Sequence, residues 1–148
     1  MRFEIMILSA LLSGCTSSGV SHIEGGGNWQ YVKNLDGESD ANMAVLKSDN
    51  PADKSGISVI SRQQFDEKKF AFLAVFPKNG ECSPVLNINN DEFSPDLTRL
   101  NDLHGVCQYM IDDSRAEYIA KSLMDTNSVT VNGVDFTTSG FSMVWPKL

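Results

Sequence analysis

The sequence predicts an α+β fold, a β-rich antiparallel sandwich or partial barrel with one packed helix in its C-terminal half. Three observations lead to this prediction. Two Asn-Gly pairs, Asn79-Gly80 and Asn132-Gly133, are typical of tight antiparallel hairpins. Several short segments alternate apolar and polar residues, as half-buried strands do. Residues 114–125 carry the one convincing helical period.

The first strand is predicted where Trp29 and Tyr31 alternate with less bulky neighbours, which would give one aromatic face. Segments rich in Asp, Asn, Ser, Gly and Pro predict loops, because these residues favour turns. Such loops are predicted at 34–40 and 48–56, around strands at 42–47 and 57–61.

The Asn79-Gly80 pair predicts a hairpin that sets Lys78 opposite Glu81, Leu73 opposite Leu86 and Ala71 opposite Ile88. In that register one face is aliphatic and includes a cysteine. Its members are Ala71, Leu73, Val75, Cys82, Leu86 and Ile88.

The opposite face of the same strand carries Phe70, Phe72 and Phe76. A strand that is apolar on both faces usually lies in the middle of a two-layer structure. The three phenylalanines are therefore either core under a helix or second sheet, or an aromatic groove for a peptide or acyl chain. In the second interpretation they are the candidate partner-binding residues.

The C-terminal part begins with a long acidic loop predicted at 90–104 and a strand at 106–111. Asp112 and Asp113 are suitable N-caps for the helix at 114–125. The stripe Ala116, Ile119, Ala120 and Leu123 would bury one face of that helix.

The Asn132-Gly133 pair predicts a second hairpin, in which Val129, Val131, Val134 and Phe136 share one face. A terminal strand is expected where Phe141, Met143 and Trp145 alternate with Ser142 and Val144.

The N-terminus carries Leu12-Ser13-Gly14-Cys15 after a short apolar run at 5–12 and before a polar stretch at 16–28. These four residues resemble the lipobox of bacterial lipoproteins at every position. The resemblance implies a signal peptide at 1–14, a tri-acylated Cys15 and a flexible lipidated tether at 15–28. Two other interpretations stay open: an ordinary cleaved secretory signal with a chance cysteine, and a buried first strand.

The same resemblance implies a cellular location. In lipoproteins of enteric type an aspartate after the cysteine favours the inner membrane, and here that residue is Thr16. We therefore expect outer-membrane, lipid-anchored attachment on the periplasmic side, with surface display left open. The membrane would be a partner only through the lipid.

Length and charge limit what the rest of the chain does. After residues 1–14 are removed, 134 of the 148 residues remain, which suits a single periplasmic domain at 29–148. The formal net charge stays at -7, since Arg2 and Glu4 cancel. Scattered basic residues and an acidic balance argue against a nucleic-acid partner.

Three cysteines divide into Cys15 and a pair, Cys82 and Cys107. In an oxidising compartment the pair is expected to form a disulfide. Closing a loop of about 26 residues contributes about 3.5 kcal/mol in the chain-entropy model. A metal site or a reactive thiol is the alternative.

Candidate chemistry is sparse. His104 lies three residues before Cys107 and could act as its base, which keeps open a thiol-dependent envelope enzyme acting on peptidoglycan. Neither zinc nor calcium spacing is met. We therefore predict no catalytic residue, no metal and no cofactor.

Two family resemblances concern the body of the chain. From Cys82 to Leu148 the order of cysteine, acidic loop, Gly-Val-Cys, helix, Asn-Gly hairpin and Ser-Gly-Phe resembles the invasion-associated locus B family. The plan of a lipid anchor, a tether, two cysteines and a following helix is similar to that of secretin pilotins. Both imply a non-enzymatic envelope lipoprotein that binds a protein partner, in secretion or host interaction.

Overall fold

In the computed structural model, which describes residues 19–37, 40–94 and 99–148, two antiparallel sheets account for the strands. The predicted signal peptide at 1–14 and the predicted lipidation site, Cys15, lie outside the described residues. The large sheet has seven strands in the spatial order β1 (Val20–His22), β2 (Gln30–Val32), β3 (Ala41–Lys47), β4 (Gly56–Gln64), β5 (Glu67–Pro77), β9 (Val106–Asp112) and β8 (Arg99–Leu103).

The small sheet has four strands in the described chain, in the order β11 (Val134–Thr137), β10 (Ser128–Val131), β6 (Leu86–Ile88) and β7 (Asp91–Phe93). Two α-helices follow β9 and β11, α1 (Asp113–Met124) and α2 (Phe141–Val144). Short 3-10 helices lie at Leu35–Gly37 and Trp145–Lys147. The predicted α+β class is confirmed, and the sheets stay open and form no barrel.

The main core lies on the face of the large sheet that meets α1 and the small sheet. Phe72 and Ile111 of the large sheet belong to the same buried cluster as Val131 and Phe136 of the small one. Burying side chains of this size contributes about 1.5–3 kcal/mol each, so this cluster is the main source of stability.

Helix α1 matches its prediction closely. Ala116, Ile119, Ala120 and Leu123 are all buried in the main core, as the stripe requires. Asp112 occupies the N-cap position in an extended conformation, but its side chain makes no capping hydrogen bond. Its carboxylate instead lies 3.4 Å from the Nε of Arg99 on β8.

The other face of the large sheet forms a second apolar cluster. Met43, Val45, Leu73 and Val75 are buried there. Gln108 lies among them, because its register partner on β5 is Val75. Its side-chain oxygen and nitrogen are both buried without a hydrogen-bond partner, which costs free energy at each atom.

The second predicted hairpin is confirmed. Val131 pairs with Val134 and Val129 with Phe136, and both turn residues have positive φ, 47° for Asn132 and 78° for Gly133. Asn132 also accepts a hydrogen bond from the backbone N of Asn87 on β6, at 2.8 Å. The turn thus helps to join β10 to β6.

The hairpin predicted at Asn79-Gly80 is wrong. Strand β5 pairs with β4 on one side and β9 on the other, and Leu86 and Ile88 belong to the small sheet. The physical reason is Pro84, which has no N–H to donate and interrupts the expected partner strand. Strand β5 instead pairs with two long strands over most of its length.

The polar stretch predicted as a tether is partly structured. Val20–His22 forms the edge strand β1, which pairs with β2. The following glycines allow a close backbone approach: Gly140 has φ 90°, and a Cβ built on it would lie 2.6 Å from the N of Gly27. The glycine run is therefore a packing contact with the turn before α2.

Two further predictions differ from the structure. The long loop expected at 90–104 contains Asp91–Phe93 and Arg99–Leu103, whose strands pair with β6 and β9. The expected terminal strand is instead α2 and a 3-10 turn. Phe141, Val144 and Leu148 are buried, and their spacing is that of a helix. A short apolar segment is compatible with a helix as well as with a strand, so the sequence pattern did not decide between them.

Candidate functional site

The predicted disulfide is present in the structure. The Sγ atoms of Cys82 and Cys107 are bonded, and the two Cα atoms are 5.6 Å apart. Cys107 lies on β9 beside Phe76 of β5, while Cys82 precedes the small sheet. The bond therefore joins the large sheet to the segment that leads into the small one.

This bond changes the chemistry of the predicted thiol site. Cys107 carries no thiol when it is bonded to Cys82, so it offers no nucleophile in this state. His104 is exposed in the two-residue turn between β8 and β9, with Gly105 at φ 78°.

The three candidate phenylalanines do share one face of β5, but that face is the one that forms the core. Phe72 is fully buried, and Phe76 is 8% exposed with its ring 6.0 Å from that of Tyr109. Phe70 is partly buried and stacks on Trp145 at 4.7 Å. The core interpretation therefore accounts for Phe72 and Phe76, and only Phe70 is partly accessible to a partner.

A cleft of about 510 Å³ lies beside the disulfide, where the ends of the two sheets meet. We call it the disulfide cleft. Its walls come from the β3–β4 loop, the end of β5, the segment after Cys82 and the β10–β11 turn. The lining residues are Asn50, Ala52, Asp53, Ser55, Phe76, Pro77, Asn79, Ser83, Cys107, Tyr109, Asn132 and Val134.

The β3–β4 loop is held against the small sheet by Asp49. Its carboxylate accepts hydrogen bonds from the backbone N of Thr137 at 2.7 Å and from the hydroxyl of Thr137 at 2.9 Å. The backbone N of Asp49 donates to the carbonyl of Asp135 at 3.1 Å. This wall of the cleft is therefore fixed by contacts to β11.

Within the same loop, side-chain oxygens accept hydrogen bonds from the backbone. The Oδ1 of Asn50 accepts a hydrogen bond from the N of Ala52 at 3.0 Å. The Oδ1 of Asp53 accepts from both the backbone N, at 2.7 Å, and the hydroxyl of Ser55. These bonds occupy the Oδ1 atom of each side chain.

The floor of the cleft is formed by Tyr109 and its neighbours. Its hydroxyl donates a 2.8 Å hydrogen bond to the carbonyl of Ser83. Burial is the largest influence on this group and raises the pKa of Tyr109 above the usual tyrosine value. The phenol therefore stays neutral at physiological pH.

Two features are absent from the described residues. Within residues 19–37, 40–94 and 99–148, no three His, Cys, Asp or Glu side chains come together where they could hold a metal ion. In the same part of the chain, no helix has the length and apolar character that crossing a membrane requires.

The disulfide cleft was not predicted from the sequence. Its asparagines, Asn50, Asn79 and Asn132, come from segments predicted only as loops or turns, whereas Phe76, Cys107, Tyr109 and Val134 come from predicted strands. The available signal was Asn79, a turn residue three positions before Cys82. Comparison of the chain with protein-family models, curated proteins and solved structures finds no match.

Proposed function

We propose that this protein is a non-enzymatic lipoprotein of the outer membrane that is anchored through Cys15 and binds a protein partner of the cell envelope. The lipobox-like residues Leu12-Ser13-Gly14-Cys15 supply the anchor. No metal or cofactor takes part in this proposal.

The main support for the proposal is the disulfide between the two cysteines other than Cys15. Disulfides persist in oxidising compartments outside the cytosol, so the pair supports export of the domain. Export and a cysteine at the lipobox position point to the same compartment from independent parts of the chain.

The bonded state also supports binding over thiol catalysis. An enzyme acting through Cys107 with His104 as its base would need the free thiolate. In the structure the sulfur of Cys107 is occupied by Cys82. The thiol-dependent enzyme therefore gains no support here.

Phe70 is the residue we propose for contact with the protein partner. It is partly buried, stacks on Trp145 and lies beside an open depression that it shares with Lys68 and Glu117. Aromatic residues with a part-exposed face are common anchors of protein interfaces. The fully buried Phe72 cannot serve in this way without opening the core.

The anchor is tested by intact mass measurement of the protein purified from bacterial membranes. We expect a chain that begins at Cys15 and carries acyl chains, and we expect Cys15→Ser to keep its leader and lose the lipid mass. An intact, unmodified leader on the wild-type chain would overturn the proposal.

The partner is tested by chemical cross-linking in whole cells, followed by identification of the cross-linked protein. We expect one defined envelope protein with the wild-type chain and a weaker product with Phe70→Ser. Phe65→Ser, at another surface position, is the matched control. Equal cross-linking by Phe70→Ser and the wild type would exclude Phe70 as the contact.

A further inference from the structure

The large sheet has an apolar face that points away from α1, and we call it the outer face. The described members of its apolar cluster all lie on strands of this sheet, except Leu35 of the first 3-10 helix. Helix α1 and the small sheet contribute instead to the main core, on the opposite face. The centre of the outer face is formed by Met43, Val45, Ser58, Leu73, Gln108 and Met110.

These side chains are buried although the sheet is a single layer. Met43, Leu73 and Gln108 are fully buried, and Met110 is 5% exposed. Side chains stand roughly perpendicular to a sheet, so neighbouring strands shield their flanks but not their ends. Leu35 alone is too small to cover a face that extends from β3 to β9. The structure holds one chain, so the remaining cover belongs to the same chain.

The chain outside the described residues consists of 1–18, 38–39 and 95–98. The two internal pieces contain one large aliphatic residue, Leu97. Residues 5–12 read Ile-Met-Ile-Leu-Ser-Ala-Leu-Leu, with seven apolar residues and no charge. The buried residues of the outer face likewise include no charged one. An uncharged apolar segment is the cover that such a face requires, because a buried charge would find no partner there.

Residues 5–12 are close enough along the chain to reach the outer face. Val20 lies on β1 at the edge of the same sheet, and its pair on β2, Val32, packs against the outer-face cluster. Leu12 precedes Val20 by eight positions, which span up to about 26 Å in an extended chain. Strand β5 lies four strand spacings from β1, or about 19 Å. The segment can therefore reach the centre of the sheet.

We propose that residues 5–12 cover the outer face in the uncleaved chain, and that cleavage after Gly14 uncovers it. The second part rests on the proposed function, in which the lipoprotein loses residues 1–14. The residues left ahead of Gly19 are Cys15, Thr16, Ser17 and Ser18, which are too few and too polar to replace the cover. Processing would therefore create the anchor residue and expose an apolar face at the same time. Exposed apolar patches of this kind mark interaction surfaces.

The polar atoms of the outer face make the cover removable. The side-chain nitrogen and oxygen of Gln108 and the Oγ of Ser58 are buried without a hydrogen-bond partner. Each of these atoms costs free energy while the face is covered, and water would satisfy it once the face is open. Residues 5–12 are therefore held less tightly than an all-apolar layer of the same area would be.

The test uses the full chain carrying Cys15→Ser, refolded with its disulfide formed and without detergent. Intact mass confirms that residues 1–14 are present. A brief hydroxyl-radical pulse, at a dose that leaves most chains unmodified, is followed by mass mapping of methionine oxidation. We expect Met43 and Met110 to oxidise at least about tenfold more slowly than Met143, which is 52% exposed.

The cover is removed by combining Leu8→Asp with Leu11→Asp, since two carboxylates cannot be buried against an uncharged face. The oxidation of Met43 and Met110 should then rise about tenfold, and that of Met143 should stay unchanged. Near-UV circular dichroism checks that the fold is kept.

The matched control combines Ser17→Asp with Ser18→Asp, which places the same two charges outside residues 5–12. Both methionines of the outer face should stay protected in this variant. Protection that is lost equally in the two charged variants would contradict the proposal, because the effect would then come from charge alone.

A photo-crosslinking measurement does not depend on the stability of the charged variants. A benzophenone amino acid in place of Leu8 should cross-link within the chain to peptides of β3, β5 or β9. The same amino acid in place of Ser17 should give less of these products, because Ser17 lies nearer to the sheet edge at Val20.

Three further results would overturn the proposal. The first is oxidation of Met43 and Met110 as fast as that of Met143 in the chain that keeps residues 1–14. The second is full protection of both in a folded chain with the two leucines replaced. The third is cross-linking from position 8 only to a second copy, which would assign the outer face to a dimer. None of these measurements involves cleavage or acylation, so the lipoprotein function is tested separately by the mass measurement at Cys15.

Discussion

The indole Nε1 of Trp29 donates a hydrogen bond to the backbone carbonyl of Thr138, with 3.1 Å between the two atoms. The two residues are 109 positions apart, and both are fully buried. The ring of Trp29 also lies 4.6 Å from that of Phe141. This contact fastens the start of the large sheet to the segment that follows the small sheet.

Replacing Trp29 by Phe should lower the free energy of unfolding by about 1–3 kcal/mol, because the buried carbonyl of Thr138 keeps only its 3.3 Å bond from the N of Phe141 and the smaller ring leaves a cavity. Chemical denaturation followed by circular dichroism measures the change. Trp145→Phe is the control, since Trp145 is only partly buried. An equal loss in both variants would contradict a special role for the Trp29 hydrogen bond.

Gly140→Ala should destabilise the protein by about 1–3 kcal/mol, since φ at this position is 90° and the new Cβ would lie 2.6 Å from the N of Gly27. The melting temperature gives the measurement. Gly19→Ala is the control, because its Cβ would meet only one atom, at 4.0 Å. A melting temperature for Gly140→Ala like that of Gly19→Ala would refute the close approach.

Gln108→Leu should raise the free energy of unfolding by about 1–3 kcal/mol, because two buried polar atoms without partners are replaced by apolar ones of similar volume. Ser61→Ala is the control, and it should change the free energy of unfolding in the opposite direction. The Ser61 hydroxyl donates a buried 2.6 Å hydrogen bond to the backbone O of Leu148, so its removal should destabilise the fold. Loss of stability in Gln108→Leu would show that Gln108 has a partner.

Phe65→Asn should stabilise the fold by about 1 kcal/mol. Phe65 is 94% exposed at the β4–β5 turn and has φ 55°, a conformation that asparagine adopts at lower cost. The change removes no buried area, so the melting temperature should rise only because the backbone conformation at this position becomes less strained. A lower melting temperature would contradict the assigned turn geometry.

The double variant Cys82→Ala, Cys107→Ala should lose about 3.5 kcal/mol in the chain-entropy model, since the bonded residues are 25 positions apart. Titration of the denatured, unreduced wild-type chain should show no free thiol from this pair. Reaction of two further thiols per chain would mean that the bond does not form in solution.

The elements predicted correctly are those in which a local signal and a tertiary contact agree. At Asn132-Gly133 the turn residues supply both positive φ angles, and the valines beside them face the core. In α1 the helical period and the buried face coincide. Neither element required knowledge of a distant partner.

The errors arise where the partner of a segment lies far away in the sequence. Strand β5 pairs with residues of β9 that lie 29 to 41 positions further along, whereas the nearby turn at Gly80 leads through Pro84 into another sheet. Pro84 is a local signal against the near hairpin, but nothing local identifies β9 as the partner of β5. The disulfide cleft was missed for the same reason, because Asn50, Asn79 and Asn132 meet only after both sheets form.

Strand β1 would bear the load first in the proposed lipid-anchored protein. It is three residues long, lies at the edge of its sheet, and pairs Val20 with Val32 at the open end of the β1–β2 hairpin. Tension on the chain ahead of Val20 would separate the β1–β2 residue pairs one after another, starting with Val20 and Val32. Each freed residue would lengthen the extended chain by about 3.3 Å. The buried indole of Trp29 would stop the unzipping, so the body of the domain could bear the load intact.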